Sequence, residues 1–285
     1  MPLAASYYPL KQTERLLGKR SHMTIAIGFV CHGGVIVAAD TKIAIGAAAQ
    51  KASKLHLFKA KAGPFAIAFA SEDANATRTL LNRIQRRLGA NDCADSIELE
   101  KFVCDEMTNW RSAYTINPPG MQLVVACRLN AEAPRLFFCE PPNTFLEHEG
   151  YVAAGTGADV TDPLHSTLFG NSSIAPDVQY GLRQVAYLVY RAKEDNIFCG
   201  KSTYCAVVSW RCNPLPEIVN SLDFEVAERY GTELDFLLRM TSSLYLGGDE
   251  AKVKENAKGV ADSFEGLATL RTLKFHGLDG KIILL

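Results

Sequence analysis

The 285-residue sequence lacks several features that would assign it to a class at once. Its 30 lysines and arginines are balanced by 31 aspartates and glutamates, so no excess charge indicates a nucleic-acid or membrane surface. No apolar run approaches the roughly 20 residues that a membrane-spanning helix requires. Internal repeats and low-complexity segments are also absent from the sequence. The length and the 48% hydrophobic content fit one large globular domain, or one domain with an appendage.

The spacing of cysteines and histidines indicates no metal site. The eight cysteines contain no C-x-x-C pair, which argues against both a zinc site and a dense disulfide scaffold. Cys127 and Cys205 lie inside apolar runs, where a reduced cysteine behaves as a small hydrophobic residue. The six histidines form no group typical of a metal centre. We therefore expect a reducing, cytoplasmic setting, and neither a metal nor a cofactor.

From residue 24 onward the hydrophobic pattern alternates between the periods of strands and helices. Gly33 and Gly34 separate two apolar, β-branched runs and predict a tight hairpin. Strand groups that alternate with helices predict two antiparallel sheets packed face to face, with helices on their outer sides. The predicted strands span 24–31, 35–40, 54–58, 65–70, 121–129, 135–140, 144–149, 151–154, 203–210, 217–219 and 281–285, and the predicted helices span 74–88, a segment capped by Ser96, 176–195, 222–246 and 249–265.

The first two helices are amphipathic. Their apolar residues recur at helical spacing, and the arginines of the first helix lie mostly off its stripe. These stripes are candidates for the contact surface of an oligomer. The candidate contact residues are Leu80, Leu81, Ile84 and Leu88 in the first helix, and Phe102, Val103 and Met107 in the second. Ile97 and Leu99 are the other apolar positions of the second helix.

Several motifs follow one another in an order typical of a known enzyme family. The stretches TIAIG at 24–28 and GVIVAAD at 34–40 form its opening hairpin. They are followed by ASKLHLF at 52–58, AGTG at 154–157 and RAKED at 191–195. Together these motifs resemble the proteasome β-subunit family of N-terminal nucleophile (Ntn) hydrolases. The resemblance covers roughly residues 24–219, and its first third is the closest part.

This resemblance implies an α+β fold, the four-layer αββα sandwich of two antiparallel sheets known as the Ntn hydrolase fold. It implies a threonine-type peptidase in which Thr24 is the nucleophile and Asp40 and Lys54 are its ionisable partners. Thr156 would supply a supporting hydroxyl and Asp195 a further acidic support. The expected partners are a peptide or unfolded-protein substrate and further copies of the chain in a ring. An ATPase partner is not identified, and no nucleic acid or membrane is expected.

The chemistry of an N-terminal threonine fits this assignment. Its free α-amine has a reference pKa of about 7.7–8.0, so it can accept the hydroxyl proton near neutral pH. A nearby lysine would lower the pKa of that amine by like-charge repulsion, and an aspartate would orient the lysine. Thr24, Lys54 and Asp40 supply these three groups.

Three departures from the family pattern bear on this prediction. Phe69, Ala70 or Ser71 stands where the family has a glycine whose N–H stabilises the oxyanion, so a side chain is expected to narrow the cleft. Cys199 stands before Gly200 where the family commonly has serine. Met23 rather than glycine precedes Thr24, which favours removal of an initiator methionine over self-cleavage.

We divide the chain into three parts on these grounds. Residues 1–23 are a leader, a propeptide or a mis-assigned start, and residues 24–221 form the hydrolase domain. Residues 222–285 form a helical extension that either completes the outer layer or reaches a neighbouring subunit, with residues 281–285 adding a strand there.

Other interpretations remain open at this point. A genuine extension before Thr24 would make the chain a catalytically silent structural subunit. The same fold also hosts hydrolases of small amides. Asp40 and Lys54 can be a surface pair, and Asp195 can be solvated at a helix end. Cys199 is a weaker candidate nucleophile because no paired histidine is evident.

Overall fold

The computed structural model describes residues 24–45, 48–114, 117–130, 132–170, 175–211, 215–245, 273–278 and 283. The predicted helix over 249–265 lies outside these residues, as does nearly all of the predicted final strand. No helix in the described part of the chain is long and apolar enough to cross a membrane. The strands are β1 (Ala26–Cys31), β2 (Gly34–Asp40), β3 (Lys42–Ile45), β4 (Ala48–Lys51), β5 (Leu55–Lys59), β6 (Pro64–Ser71), β7 (Met121–Cys127), β8 (Arg135–Glu140), β9 (Thr144–His148), β10 (Tyr151–Ala154), β11 (Thr203–Ser209) and β12 (Glu217–Ile218), and the helices are α1 (Ala74–Ala90), α2 (Ser96–Ser112), α3 (Ala158–Leu168), α4 (Val178–Asp195) and α5 (Ser221–Tyr245).

Two five-stranded antiparallel sheets form the centre of the fold. The first sheet has the order β10-β1-β2-β11-β12, and the second has the order β5-β6-β7-β8-β9. Strands β3 and β4 form a separate two-stranded hairpin. Helices α1 and α2 cover the second sheet, and α3, α4 and α5 cover the first, which confirms the predicted four-layer sandwich.

Small side chains fill the space between the two sheets. Strand alternation directs Val35, Val37 and Ala39 of β2 toward the second sheet, and alanines of β6 face them. At Gly28 an added Cβ would lie 2.4 Å from Leu136 Cδ1 of the second sheet. The sheets therefore approach closely, and the ends of their strands come within reach of each other's side chains.

The apolar stripes of α1 and α2 pack on the second sheet of their own chain. Leu80, Leu81 and Leu88 are buried there, so the suggestion that these stripes form an oligomer contact is wrong. Ile97 was also placed on the second stripe, but its side chain is 73% exposed. The predicted capping residue is corrected as well, because Asp95 caps α2 by accepting a hydrogen bond from the Glu98 N–H at 2.9 Å.

Helix α4 is buried against the first sheet along one face. The predicted inward residues Val178, Leu182, Val185, Leu188 and Val189 are all buried. The helix begins two residues later than predicted because the Asp177 side chain accepts a hydrogen bond from the Tyr180 N–H and caps it.

Two elements near the site were not predicted. The hairpin of β3 and β4 contains a run of alanines, which has little β-propensity and no clear alternation. Helix α3 lacks a capping side chain at Gly157 and contains Pro163, so the usual start signal is missing and a helix-breaking residue is present.

The described residues of the C-terminal tail pack on α4 and α5 of the same chain. Phe275 is fully buried, and its ring lies 6.3 Å from that of Phe224. The Gln179 amide of α4 donates to the carbonyl of Ile283 at 2.8 Å and accepts from the Phe275 N–H at 2.9 Å. These contacts place this part of the tail on the outer helical layer.

Removing the Phe275 side chain tests how much this contact stabilises the fold. We expect Phe275→Ala to lower the free energy of unfolding by about 3–5 kcal/mol, because a fully buried aromatic side chain leaves a cavity. Chemical denaturation followed by circular dichroism measures the change. Leu278→Ala is the control in the same segment, since Leu278 is 68% exposed. Equal losses in the two variants would show that the tail does not dock as described.

Candidate active site

A buried ion pair joins the two sheets at one end of the sandwich. Asp40 ends β2 of the first sheet, and Lys54 immediately precedes β5 of the second. The Lys54 ammonium group donates to Asp40 Oδ1 at 2.8 Å, and both side chains are almost completely buried. Lys54 Nζ also donates to the main-chain carbonyl of Lys42. The structure therefore brings together two residues that the sequence singled out.

Burial shifts the pKa values of Asp40 and Lys54 toward each other. It raises the pKa of Asp40 above its usual value, and the charge and hydrogen bond of Lys54, the Gly200 N–H and the Thr24 hydroxyl oppose this rise. Burial likewise lowers the pKa of Lys54, and Asp40 opposes the change. A lysine with a lowered pKa is better matched to proton transfer near neutral pH than an exposed one.

Thr24 lies beside this pair, two residues before the start of β1. It is 1% exposed in the 285-residue chain. Its hydroxyl oxygen is buried and makes no hydrogen bond of good geometry with another described residue, although it lies near enough to Asp40 to favour the ionised carboxylate. A buried hydroxyl that lacks a well-formed hydrogen bond costs free energy, so its presence beside the pair calls for a functional explanation.

The turn after β10 fixes the main chain of Thr24. Gly157 donates its N–H to the Thr24 carbonyl at 3.2 Å. Gly155 has a φ of +87°, and a Cβ added to it would lie 2.0 Å from the same carbonyl oxygen. Only glycine fits this close approach.

Side chains from two other elements hold this turn. Gln122 of β7 accepts a hydrogen bond from the Gly155 N–H at 2.7 Å, which ties the second sheet to the turn. Asn196 donates to the main-chain carbonyl of Thr156 at 2.9 Å. Thr156 thus lies in the turn that contacts Thr24, and its main-chain carbonyl is bound by the residue that follows α4.

The segment that follows α4 provides a second support for Asp40. Gly200 donates its N–H to Asp40 Oδ2 at 2.8 Å, so both carboxylate oxygens accept a hydrogen bond. Thr41 donates its N–H to the Ser202 carbonyl at 2.9 Å and fixes the same segment one residue after Asp40.

Asp195 lies apart from the pair. Its carboxylate binds Arg191 at 2.5 Å and is 42% exposed. In the described part of the chain, no hydrogen bond joins it to Thr24, Asp40 or Lys54. Cys199 is buried, and burial together with the nearby Asp40 raises the pKa of its thiol to about 12. A thiol of this kind is a poor nucleophile near neutral pH.

The end of β6 lies beside the turn that contacts Thr24. Phe69 points into the core under α1 and α2, so the expected narrowing of the cleft by this side chain does not occur. Ala70 faces the space between the sheets, and its Cβ would lie 2.7 Å from a Cβ on Gly155. The small side chain at Ala70 therefore packs closely against the turn.

Sequence reasoning missed three residues that shape the site. Gln122 and Asn196 act on main-chain atoms of a distant turn, and a single polar side chain in a strand or after a helix carries no signal of such a contact. Gly200 was named only as the residue that follows Cys199. Its N–H bond to Asp40 joins residues 160 positions apart in the sequence, so it could not be predicted without the fold. Among the residues that the structure describes, no group of three histidines, cysteines or carboxylates could hold a metal ion.

Replacing Gly155 tests the close approach to Thr24. We expect Gly155→Ala to lower the free energy of unfolding by roughly 1–3 kcal/mol, because the added methyl group collides with the Thr24 carbonyl at a positive φ. Gly150→Ala is the control in the preceding turn, since nothing lies within 4 Å of an added Cβ there. Urea denaturation of both variants gives the comparison, and a stable Gly155→Ala protein would contradict this packing.

Solved structures with the same fold are known. Anbu (ancestral beta-subunit) from Yersinia bercovieri superposes with a TM-score of 0.63 at 15% identity, covering 76% of this chain and 97% of that one. Anbu from Hyphomicrobium sp. strain MC1 gives 0.62 at 16% identity, with 77% and 97% covered. A structure described as the helical assembly of the Anbu complex from Pseudomonas aeruginosa gives 0.63 at 14% identity, with 76% and 96% covered. At these identities the likeness shows the fold alone.

Sequence comparison identifies the family. No curated protein sequence matches the chain. Residues 21–175, which include Thr24, Asp40 and Lys54, match the family described as proteasome subunit. Because this match spans more than half of the 285 residues, the chain belongs to the proteasome subunit family.

Proposed function

We propose that this chain is a threonine peptidase that cleaves peptide bonds with Thr24 as an N-terminal nucleophile. The observation that carries the proposal is the buried Asp40–Lys54 pair beside the buried hydroxyl of Thr24, which acts on the Asp40 carboxyl and makes no hydrogen bond of good geometry with another described residue. Nucleophile, ionisable pair and supporting turn lie together as such a reaction requires.

The proposed reaction begins with attack of Thr24 Oγ1 on the carbonyl carbon of the scissile peptide bond. The free α-amine of Thr24 accepts the hydroxyl proton, directly or through a water, and then delivers it to the leaving amine. This produces an ester between Thr24 and the acyl part of the substrate. A water molecule, deprotonated by the same amine, hydrolyses the ester and regenerates the threonine.

Lys54 and Asp40 assist these proton transfers without entering the covalent steps. A positive charge on Lys54 favours the deprotonated amine and stabilises negative charge that develops on Oγ1. Asp40 holds the ammonium group in place through one carboxylate oxygen, while the Gly200 N–H holds the other. A main-chain N–H at the end of β6, near Ala70, is the proposed donor to the oxyanion.

The proposal requires Thr24 to be the first residue of the active protein. In the 285-residue chain its nitrogen is part of the peptide bond to Met23 and cannot act as a base. We propose that translation from Met23, followed by removal of the initiator methionine, exposes this amine. The chain then acts on peptides or unfolded proteins as a homo-oligomer in the cytoplasm.

A catalytically silent subunit of the same family is the main alternative. Removing two charges from water is costly, and apolar residues of similar size often stabilise a fold as well as a buried pair does. Retention of the Asp40–Lys54 pair next to Thr24 therefore favours a catalytic role over a purely structural one.

Substitution of Thr24 tests the nucleophile. Protein that begins at Thr24 is expected to hydrolyse fluorogenic peptides and to form a covalent adduct with a peptide epoxyketone, detected by intact-mass spectrometry. Thr24→Ala should abolish both, because it removes the attacking oxygen. Thr79→Ala removes an exposed threonine hydroxyl from α1 and should leave both unchanged. Full turnover by Thr24→Ala would overturn the assignment.

Substitution of Lys54 tests the ionisable pair. We expect Lys54→Ala to lower kcat by at least ~100-fold, because a positioned electrostatic and proton-transfer group is lost. Lys54→Arg should not restore the rate, since a forked guanidinium is larger and stays charged. Lys59→Ala, at an exposed position of the same chain segment, serves as the control for peptide hydrolysis assays.

The pH profile gives a second measure of Lys54. Its pKa is lowered by burial, so rate loss from ammonium deprotonation should begin at lower pH than for an ordinary lysine. Wild-type activity in Lys54→Ala and Lys54→Arg would show that this residue has no part in the reaction.

A further inference from the structure

We propose that Lys42 is a positioning residue for the Asp40–Lys54 pair. Its ammonium group binds main-chain carbonyls of the segment 197–200 and so keeps the Gly200 N–H hydrogen-bonded to Asp40. These contacts of the Lys42 ammonium group are called the clamp below. This role rests on the proposed peptidase function of Thr24, and it assigns work to a residue that neither the motifs nor the family match singles out.

Lys42 contacts both Lys54 and the segment that supports Asp40. Its main-chain carbonyl accepts a hydrogen bond from the Lys54 ammonium group. Its own ammonium group donates to the main-chain carbonyls of Ile197 and of Cys199, the latter at 3.4 Å. One residue after Cys199, the Gly200 N–H reaches Asp40 Oδ2 at 2.8 Å. Lys42 therefore binds Lys54 directly, and it also binds the carbonyl of the peptide unit whose N–H serves Asp40.

The stem of Lys42 contributes as well as its charge. Gly200 has a φ of +150°, and a Cβ added there would lie 3.3 Å from Lys42 Cδ. The aliphatic part of Lys42 thus lies over the glycine whose N–H serves Asp40. A charged group that donates to two carbonyls makes stronger hydrogen bonds than a neutral donor and holds the segment from its outer side.

The sequence predicted that the carboxylate of Asp195 supports the pair from this side. Asp195 was expected to support the pair from the end of α4, but its carboxylate binds Arg191. The chain continues from α4 through Asn196 into the clamped segment, so the end of α4 acts on Asp40 through main-chain atoms. Lys42 is the side chain that holds those atoms in place.

The charge of Lys42 also acts on Lys54 directly. Burial is the main cause of the lowered pKa of Lys54, and the nearby positive charge of Lys42 lowers it further. The other ionisable groups that act on the pair are Cys199, beside Lys54, and Lys193, which acts on Cys199. Removing the charge of Lys42 should therefore raise the pKa of Lys54.

The test compares Lys42→Met with Lys42→Arg and Lys51→Met, all in protein that begins at Thr24. Methionine keeps an unbranched stem but loses the charge and its donors, whereas arginine keeps both. Lys51 belongs to the same hairpin and binds the Ser202 hydroxyl at 2.9 Å, but it does not contact the carbonyls of the clamp. It is therefore a matched control.

We expect Lys42→Met to lower kcat by about 10- to 100-fold with KM changed less than about twofold, since a small misplacement of a catalytic group has effects of this size. Loss of the Gly200 N–H bond should raise the pKa of Asp40, and loss of the Lys42 charge should raise that of Lys54. Both limbs of the pH–rate profile should therefore move to higher pH. Lys42→Arg should recover most of kcat, and Lys51→Met should resemble wild type.

Hydrogen exchange of residues 197–200, measured by mass spectrometry, reports the contacts of Lys42 independently of catalytic activity. Exchange should be faster in Lys42→Met than in wild type, Lys42→Arg or Lys51→Met. An active wild type with unchanged kcat, pH profile and exchange in Lys42→Met would overturn the role of Lys42 and leave the peptidase assignment intact. If wild-type protein that begins at Thr24 is inactive, and exchange is still faster in Lys42→Met, then both the peptidase assignment and the catalytic positioning role of Lys42 are wrong. The contact made by Lys42 would then be structural only.

Discussion

A charged pair enclosed in protein requires a partner for each oxygen and each ammonium proton, and the structure around Asp40 and Lys54 follows from this requirement. Asp40 uses one oxygen for Lys54 and the other for the Gly200 N–H. Lys54 adds the carbonyl of Lys42. Three separate segments must therefore meet at one point: the chain from the end of β2 to the start of β3, the residue before β5, and the chain after α4.

The close approach of the two sheets makes this meeting possible. Between them the core is built mostly from alanines and valines, so a lysine at the start of one sheet spans the gap to an aspartate at the end of the other. Larger residues at Ala66, Ala68 or Ala70 would separate the sheets and lengthen the distance between the charges. The small side chains between the two sheets thus help to determine the distance between the charges of Asp40 and Lys54.

The strongly periodic elements and the layers of the fold were predictable from the sequence, because strands and helices with one buried face carry their own pattern. The pair Asp40–Lys54 was predicted from motifs that resemble those of the proteasome β-subunit family. The contacts of Gln122 and Asn196 were not, since each joins a side chain to a main-chain atom far away in the sequence. Asp195 illustrates the converse, because a residue at the expected position can turn to a neighbouring arginine one helical turn away.

Helix α4 connects the described residues of the C-terminal tail to the site as one continuous helix. Gln179, in its first turn, holds the main chain of Phe275 and Ile283, and its last residue leads directly into the segment that supports Asp40. Its 18 residues span about 27 Å at the usual rise of an α-helix. Because α4 is one continuous helix between these contacts, the position in which the tail residues hold its first turn also sets where the segment after its last turn begins. Residues at the far end of the helix therefore contribute to the support of Asp40 without contacting either charge.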